Sequence, residues 1–457
     1  MAAFIRSRDG RITCDIRPRS GKIEFNGHLD VQLVHQYLRQ FQISAVALKE
    51  PTWRFEKIGV GMSSTLSLPG RLSFVVIAMT ILTACSSLPR TPYTANDALS
   101  SRVLDLNNLR RYADEPVSTF SNEARVPLRA GSHSYLALSG GGADGAYGAG
   151  VLSGWAAAGT RPQFSVVSGV STGALIAPFA FLGPTYDATL KEIYTSGIAE
   201  SILGSPSIAN ALFRSGLFGN TRLRELVAHY VDQQLLAAIC AEHARGRRLF
   251  IVTTNLDTQR TVIWDMGRIA SIGSTQALNL FRDVVAASAS VPVVFPPMLI
   301  DVEANGRRFQ EMHADGAVMA PVLTLPDAFL LRNGNFSRDL HIDIYILINN
   351  KVEPDFQVVR NNTADIAARS SASTTKTQTR SILYGTFDFA RHNKLGFNLT
   401  YIDRNIPSPA SPDFDTGYMR SLYEYGYEKA KTGSFWEKAP PSNDRPLNDG
   451  REQRVTM

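Results

Sequence analysis

Cysteine is scarce in this chain: 457 residues contain only Cys14, Cys85 and Cys240. Three cysteines are too few for a scaffold held together by several disulfides. Cysteine, histidine and acidic residues also show no cluster with the spacing of a metal site, so we expect neither a metal nor a cofactor. The apolar content of 44% and charged content of 19% are those of a globular protein.

Excess positive charge is missing from most of the chain. The formal net charge is +6, but residues 1–84 carry 11 basic and 6 acidic residues, which leaves 36 basic and 35 acidic residues for the remainder. A remainder so close to neutrality has no electrostatic footprint for nucleic acid. We therefore expect no nucleic-acid partner, and we find no internal repeat.

An apolar run, Leu72–Leu82, ends two residues before the cysteine at position 85. Its eleven residues are too few to span a bilayer but suit the apolar core of a secretory signal. The sequence Leu-Thr-Ala-Cys at 82–85 resembles a bacterial lipobox, which implies cleavage before Cys85 and acylation of its sulfur. Ser86 resembles an outer-membrane sorting signal. We expect residues 62–84 to be a signal peptide and the protein to be an exported lipoprotein of the cell envelope, in the outer membrane.

A short buried helix with an incidental cysteine is the alternative for that segment. If the mature chain starts at an acylated Cys85, Cys240 is its remaining thiol and no disulfide forms within it. Residues 1–61 show no clear periodicity, so we expect an unstructured extension or translation from Met62. Residues 85–133 are expected to form a tether and a first helix.

Two glycine-rich turns organise the middle of the chain, and each is preceded by a short apolar run. Both have the order strand, turn, helix, which predicts a parallel α/β unit. The predicted strand, turn and helix span Tyr135–Leu138, Ser139–Gly142 and Ala143–Ala158 in the first unit, and Phe164–Val167, Ser168–Gly173 and Leu175–Leu182 in the second.

The second turn carries the pattern G-x-S-x-G, formed by Gly169, Ser171 and Gly173. A serine on a tight turn between strand and helix exposes its hydroxyl, and the glycines permit the strained backbone and close packing. The helix N-terminus behind the serine favours negative charge on the substrate. By itself this pattern is also compatible with an ordinary turn of small residues.

The first turn has three successive glycines, Gly140–Gly142, at a predicted helix N-terminus. Their backbone N–H groups are not covered by side chains and suit an oxyanion or a phosphate. With Gly145 they also match the G-x-G-x-x-G of dinucleotide-binding folds. That interpretation requires an acidic residue about twenty positions later. None lies between Asp144 and Asp187, which argues against it.

A third element, Asp315-Gly316-Ala317, follows the alternating run Phe309–His313 and the small-residue stretch Ala286–Pro297. In this order, SGGGADG, GVSTG and DGA resemble the patatin-like phospholipase family. The resemblance covers about 134–325 and continues more loosely to about 440. It implies an α/β fold of three layers, with a mainly parallel central sheet flanked by helices and a nucleophile elbow.

The resemblance also implies site residues and a substrate class. Ser171 would be the nucleophile, Asp315 the base of a Ser–Asp dyad, and the Gly140, Gly141 and Gly142 amides the oxyanion hole. The other positions that match the family's motifs are Gly145, Gly169, Gly173, Gly316 and Ala317. The implied substrate is a lipid carboxylic ester, cleaved as by a phospholipase A or a lysophospholipase.

Two other functions stay open on the sequence alone. An ordinary α/β-hydrolase would use a histidine base after the serine, and His341 and His392 lie downstream. His313 shares a strand face with Asp315 and could tune it. A lipid-binding lipoprotein without catalysis would need neither the serine nor the aspartate.

The remaining segments complete the predicted organisation. Residues 134–325 form the catalytic core, 326–438 continue the same domain, and 439–457 form a disordered tail. Helical spacing predicts a helix over Ala98–Tyr112. Gly204–Gly219 has four large apolar residues and is either an ordinary packed loop or a lipid-facing flap.

Overall fold

The computed structural model describes residues 2–8, 11–17, 23–26, 46–47, 52–54, 90–116, 118–120, 131–203, 222–326, 329–330, 340–406 and 414–441. The predicted signal peptide, the anchor Cys85, the loop Gly204–Gly219 and most of the predicted tail lie outside these residues. The chain divides into two compact units, Met1–Thr83 and Ala84–Met457.

The first unit contains a five-stranded sheet in the order β3-β2-β1-β5-β4. Its strands are β1 Ala2–Arg8, β2 Arg11–Arg17, β3 Ile23–Asn26, β4 Val46–Ala47 and β5 Thr52–Arg54. This sheet differs from the expectation of an unstructured segment. The Asp-Gly dipeptide at 9–10 separates two β runs and is a frequent hairpin connection, a signal that periodicity alone does not reveal. Translation from Met62 stays a prediction.

The second unit is built on a nine-stranded mixed sheet. Its strands are β6 Arg110–Tyr112, β7 Gly131–Leu138, β8 Val166–Val170, β9 Arg248–Asn255, β10 Arg260–Asp265, β11 Met298–Ala304, β12 Arg307–Asp315, β13 Leu340–Ile348 and β14 Gly396–Tyr401. The strands β14-β13-β7-β8-β9 pair in parallel in that order, whereas β10, β11 and β12 pair antiparallel. The predicted fold class is confirmed.

Helices cover both faces of this sheet. They are α1 Ala95–Ser100, α2 Gly145–Ala157, α3 Thr172–Leu182, α4 Asp187–Thr195, α5 Ile198–Leu203, α6 Arg222–Tyr230, α7 Gln233–Ala244, α8 Met266–Ser271, α9 Thr275–Ser288, α10 Thr363–Asn393 and α11 Thr416–Lys431. None of these described helices has both the length and the apolar content needed to cross a membrane.

Alternation along β13 shows how the two faces are buried. Ile344, Ile346 and Ile348 pack with Leu383 of α10 in one apolar cluster, whereas Leu347 belongs to the large cluster on the other face. Successive side chains of a strand point to opposite faces, so a strand apolar at both sets of positions lies between two helical layers.

Strand β9 sets the position of the site because two strands share one of its edges. β10 pairs with Phe250–Asn255 along one edge. On the other edge β8 pairs with Arg248–Val252 and β12 pairs with Thr253–Asn255. β12 runs antiparallel to β9, so its last residue arrives where β8 ends.

The helix predicted over Ala98–Tyr112 is wrong. α1 ends at Ser100, Leu104 and Asp105 take positive φ in a turn, and Arg110–Tyr112 pair with β10. The apolar residues at helical spacing are not buried together, since Leu99 is exposed and Leu109 is buried. Pairing with a distant strand overrides the local helical pattern here.

Candidate active site

The sequence at the end of β8 forms a strained turn that presents Ser171. β8 ends at Val170, Ser171 has φ 55° and ψ −124°, and α3 begins at Thr172. A positive φ is costly for a residue other than glycine and persists only where its surroundings enforce it. The Ser171 N–H donates to Ser288 Oγ at 3.0 Å, and the Ser288 hydroxyl donates to the Val252 carbonyl at 2.6 Å.

Gly169 and Gly173 pack too closely for a larger residue. A Cβ on Gly169 would lie 2.4 Å from the Gly173 carbonyl oxygen. A Cβ on Gly173 would lie 2.5 Å from the carbonyl oxygen of Leu138, in the neighbouring strand β7. The second turn therefore contacts the first turn through backbone atoms.

Asp315 is the last residue of β12, and its carboxyl group is buried. Its N–H donates to the Ser290 carbonyl at 3.0 Å, and its Oδ1 accepts the Ala317 N–H at 2.7 Å. Burial raises the pKa of Asp315 to about 7, although hydrogen bonding to Ser171 and to the Ala317 amide opposes that rise. A carboxyl group in this state gains and loses its proton near neutral pH.

Ser171 and Asp315 meet because of the pairing along β9. Val170 pairs with Val252, and Asp315 pairs with the next residue, Thr253. The Ser171 hydroxyl is close enough to lower the Asp315 pKa, yet Oδ2 has no partner with ordinary hydrogen-bond geometry among the described residues. We take the pair to be adjacent but not tightly bonded, which is common in unliganded active sites.

The first glycine turn lies beside Ser171. A Cβ on Gly140 would lie 3.0 Å from Ser171 Cβ and 3.4 Å from Ala317 Cβ. The Gly140 N–H already donates to the Pro321 carbonyl at 3.0 Å, so the expectation that it is a free oxyanion donor is wrong for this conformation. The amides of Gly141 and Gly142 make no hydrogen bond within the described part of the chain.

Two other glycines of the motifs are sites of close packing. A Cβ on Gly145 would lie 2.0 Å from Thr172 Oγ1, which itself lies 2.6 Å from the Tyr194 hydroxyl. A Cβ on Gly316 would lie 2.5 Å from the Val252 carbonyl oxygen. Both glycines hold the three sequence motifs together around Ser171.

Asn349 holds the glycine turn, a role that sequence reasoning missed. Its N–H donates to Ser139 Oγ at 2.8 Å, and its Nδ2 donates to the Ser139 carbonyl at 2.9 Å. Its own carbonyl oxygen would lie 1.9 Å from a Cβ on Gly141. The available signal was its place directly after a buried strand, at the same sheet edge as both turns.

His313 lies on the same strand as Asp315 but contacts other residues. Its Nδ1 is 2.9 Å from Thr253 Oγ1 and its Nε2 is 3.2 Å from Glu311 Oε2. Burial lowers the pKa of His313, even though Glu311 opposes this. Glu311 in turn is bonded by Arg110, and its pKa falls to about 2 because these partners outweigh its burial. His313 therefore belongs to a buried structural network.

The two downstream histidines lie far from Ser171. His341 pairs with Ser132 at the beginning of β13, and its side chain is exposed beside Asp343. His392 is exposed near the end of α10, just before β14 begins. Ser171 follows the end of β8, which is parallel to β13 and β14, so both histidines lie at the opposite sheet edge.

The described residues contain no histidine that is hydrogen-bonded to Ser171. They also contain no group of three or more histidine, cysteine or acidic side chains that could hold a metal ion. The polar groups described beside the serine are thus the Asp315 carboxyl group, the Ser288 hydroxyl and backbone amides.

Residues 136–326 match the family model described as patatin-like phospholipase. No curated protein matches the chain. Among solved structures it is similar to VipD from Legionella pneumophila, with 12% identity, coverage of 66% of each chain and a TM-score of 0.29. The chain thus spans just under two thirds of the length of that structure, and the expected resemblance to patatin-like phospholipases is confirmed over residues 136–326, which match as a domain of that kind.

Proposed function

We propose that the protein hydrolyses lipid carboxylic esters, as a phospholipase A or lysophospholipase, through a Ser171–Asp315 dyad and an acyl-enzyme. The observation that carries this proposal is the meeting of a strained Ser171 with the buried Asp315 at consecutive positions of β9. No described histidine competes with Asp315 as the base.

In the first step, Ser171 Oγ attacks the ester carbonyl carbon while Asp315 accepts the hydroxyl proton. The tetrahedral intermediate collapses, the alcohol leaves with that proton, and an acyl group stays on Ser171. Asp315 then takes a proton from water, the resulting hydroxide equivalent attacks the acyl-enzyme, and the fatty acid leaves as Ser171 regains its proton. Atoms and charge balance over the two steps without a cofactor.

The amides of Gly141 and Gly142 are the donors we assign to the oxyanion. They lie at the N-terminal end of the segment that leads into α2, where backbone N–H groups and the helix dipole favour negative charge. Gly140 contributes by close approach to Ser171 rather than by its own N–H.

The pKa of Asp315 suits its proposed role as base. A proton acceptor works best when its pKa lies near the operating pH. Burial places that of Asp315 at about 7, well above its ordinary value. The low polarity that raises the pKa also strengthens the interaction with the developing charge.

We further propose that the mature protein starts at Cys85 and is held by acyl chains on it in the outer membrane. One catalytic domain would then span residues 134–438. The lipobox-like sequence at 82–85 is the support for the anchor, and the compact unit Ala84–Met457 is the support for the boundary. Only four residues separate Cys85 from Arg90, whose side chain binds Asp257 at 2.7 Å.

A panel of esters tests the proposed function. The purified chain is given phospholipids, lysophospholipids and neutral acyl esters with varied head groups and chain lengths, beside a Ser171→Ala control. We expect release of fatty acid from at least one class of lipid ester, and none with the control. Release that is equal in the control would contradict the assignment of the nucleophile.

A further inference from the structure

Helix α10 is much longer than the strands it packs against. Its 31 residues span about 46 Å, whereas the six paired residues of β14 span about 20 Å. Among its described side chains none is buried before Thr379, whereas Leu383 and Thr386 are. The first four turns of α10 therefore extend beyond the sheet.

The overhang lies at the sheet edge that carries Ser171. α10 ends just before β14 begins, and β14 runs parallel to β13 and β8. The helix thus runs from the edge at which these strands end to the edge at which they begin. Its N-terminal turns therefore lie at the sheet edge at which Ser171 follows β8.

The loop that precedes α10 folds back on these turns and forms an arm, defined here as residues 353–378. Lys376 Nζ donates to the Glu353 carbonyl at 3.0 Å and to Asp355 Oδ1 at 2.7 Å. Arg369 donates to the Asp355 carbonyl at 2.6 Å. The charged groups at the base of the arm are paired with one another.

The other end of the arm carries exposed apolar side chains beside an ion pair between Arg360 and Asp365. Phe356 is 88% exposed and Val358 is 80% exposed, and Val359 and Ile366 are exposed as well. Single exposed apolar residues are ordinary, whereas four within eleven positions are a local concentration of exposed apolar surface, and such concentrations mark binding surfaces. We call these four residues the apolar tip.

Two features of the molecule indicate a lipid surface as the partner of this tip. The arm begins four positions after Asn349, which holds the glycine turn, so it starts close in the chain to the active site. Ser171 is only 3% exposed, and it lies at the same sheet edge as the arm. Exposed phenylalanine, valine and isoleucine side chains enter the apolar boundary of a bilayer readily.

We propose that the apolar tip inserts into the interface of a lipid bilayer and holds the Ser171 edge of the enzyme on that surface. This inference rests on the lipid hydrolysis proposed above. Hydrolysis of esters in a bilayer then depends on the tip, whereas hydrolysis of a dissolved ester does not.

The double variant Phe356→Ser/Val358→Ser tests this dependence in the full-length protein. We expect hydrolysis of vesicles of phosphatidylcholine and phosphatidylglycerol to fall about tenfold or more, because two apolar side chains no longer enter the bilayer. Hydrolysis of a short-chain nitrophenyl ester below its solubility limit should not change. Gln357→Ser, between the two positions, and the apolar pair Phe356→Leu/Val358→Ile are matched controls that should behave as the wild type.

Insertion itself is measured with Phe356→Trp and lipids brominated on their acyl chains. We expect the brominated lipids to quench the fluorescence of the indole introduced at position 356. This fluorescence is the difference between the variant and the wild type. An unquenched indole together with unchanged vesicle hydrolysis in the double serine variant would overturn the proposal and indicate a protein partner for the tip. Quenching needs no catalysis. If the protein cleaves no lipid ester, the proposed function is refuted, and the quenching measurement still shows whether the tip enters the bilayer.

Discussion

At the scale of single residues, the unusual group is a carboxyl that burial keeps partly protonated near neutrality. The pKa of Asp315 is about 7, and Ser171 loses its proton only to an ionised carboxylate. We predict that kcat/KM rises with pH and levels off above about pH 7. A pH–rate profile with an ester that has no ionisable group of its own measures this. A flat profile between pH 5 and 8 would contradict Asp315 as the base.

The raised pKa of Asp315 also makes the free energy of unfolding depend on pH. The folded-state pKa of Asp315 is raised above the ordinary value, so its contribution is fully present below about pH 4 and is lost as the pH rises through about 7. Asp315→Asn removes this dependence. We predict that the free energy of unfolding of the variant, relative to that of the wild type, is greater at pH 8 than at pH 5. Urea unfolding of both proteins at both pH values measures this difference. A difference that does not change with pH would contradict the shift.

His313 is predicted to matter for stability and not for catalysis. Its ring contacts Thr253 and Glu311, and its loss leaves buried polar groups without partners. His313→Ala should lower the free energy of unfolding by about 1–3 kcal/mol while the folded fraction keeps its kcat. His341→Ala and His392→Ala, at exposed positions, are the matched controls and should change neither quantity. Loss of kcat in folded His313→Ala protein would place that histidine in the reaction.

At the scale of elements, the two strand–turn–helix units could be predicted from the sequence because their signals are local. Short apolar runs before glycine turns correspond to β7 and β8, and the small-residue stretches correspond to α2 and α3. Local chemistry also ends helices, since Gly197 with φ 92° separates α4 from α5. Likewise Asp232 caps a new helix, α7, shortly after α6 ends at Tyr230.

Contacts between distant elements could not be predicted in this way. The helical spacing of Ala98–Tyr112 competes with a strand pairing to β10 that no local pattern reveals. Two hydrogen bonds each join residues about 200 positions apart. One links Asn349 to Ser139, and the other links the Gly140 amide to the Pro321 carbonyl. Both depend on which strands become neighbours in the folded sheet.

The glycine turn gives a prediction at the element scale. Gly141→Ala would bring a Cβ to 1.9 Å from the Asn349 carbonyl oxygen, so the turn or the end of β13 has to move. We expect a large loss of kcat from this movement, measured beside circular dichroism. Gly385→Ala is the matched control, because that position in α10 is open to solvent and the change should stabilise the helix by about 0.5–1 kcal/mol. Full activity of Gly141→Ala would contradict the need for this close packing.

At the scale of the whole molecule, the proposed anchor predicts where the enzyme resides. Cys85→Ser should leave an uncleaved precursor, or a protein that takes up no metabolic acyl label, because the acylated sulfur is missing. Stable anchoring needs more than one acyl chain, which a lipid-modified N-terminal cysteine provides by resemblance to bacterial lipoproteins. Cell fractionation with labelled fatty acid measures this, with Cys240→Ser as the control. Unchanged labelling of Cys85→Ser would refute the anchor.

The proposed dyad, which is the central claim, joins two distant segments of the unit Ala84–Met457. Ser171 and Asp315 are 144 positions apart in the chain, and they meet because Val170 and Asp315 pair with consecutive residues of β9. If they act as one unit, removing either should cost about as much as removing both. A histidine-based enzyme would instead depend on its histidine as strongly as on its serine.

The most direct test is a mutant cycle of Ser171→Ala, Asp315→Asn and the double variant, with kcat measured on the best lipid ester and folding checked by circular dichroism. We predict that each single variant loses about 10³-fold or more in kcat and that the double variant is little worse. Hydrolysis that survives Asp315→Asn in folded protein but is abolished by His313→Ala, His341→Ala or His392→Ala would contradict the dyad.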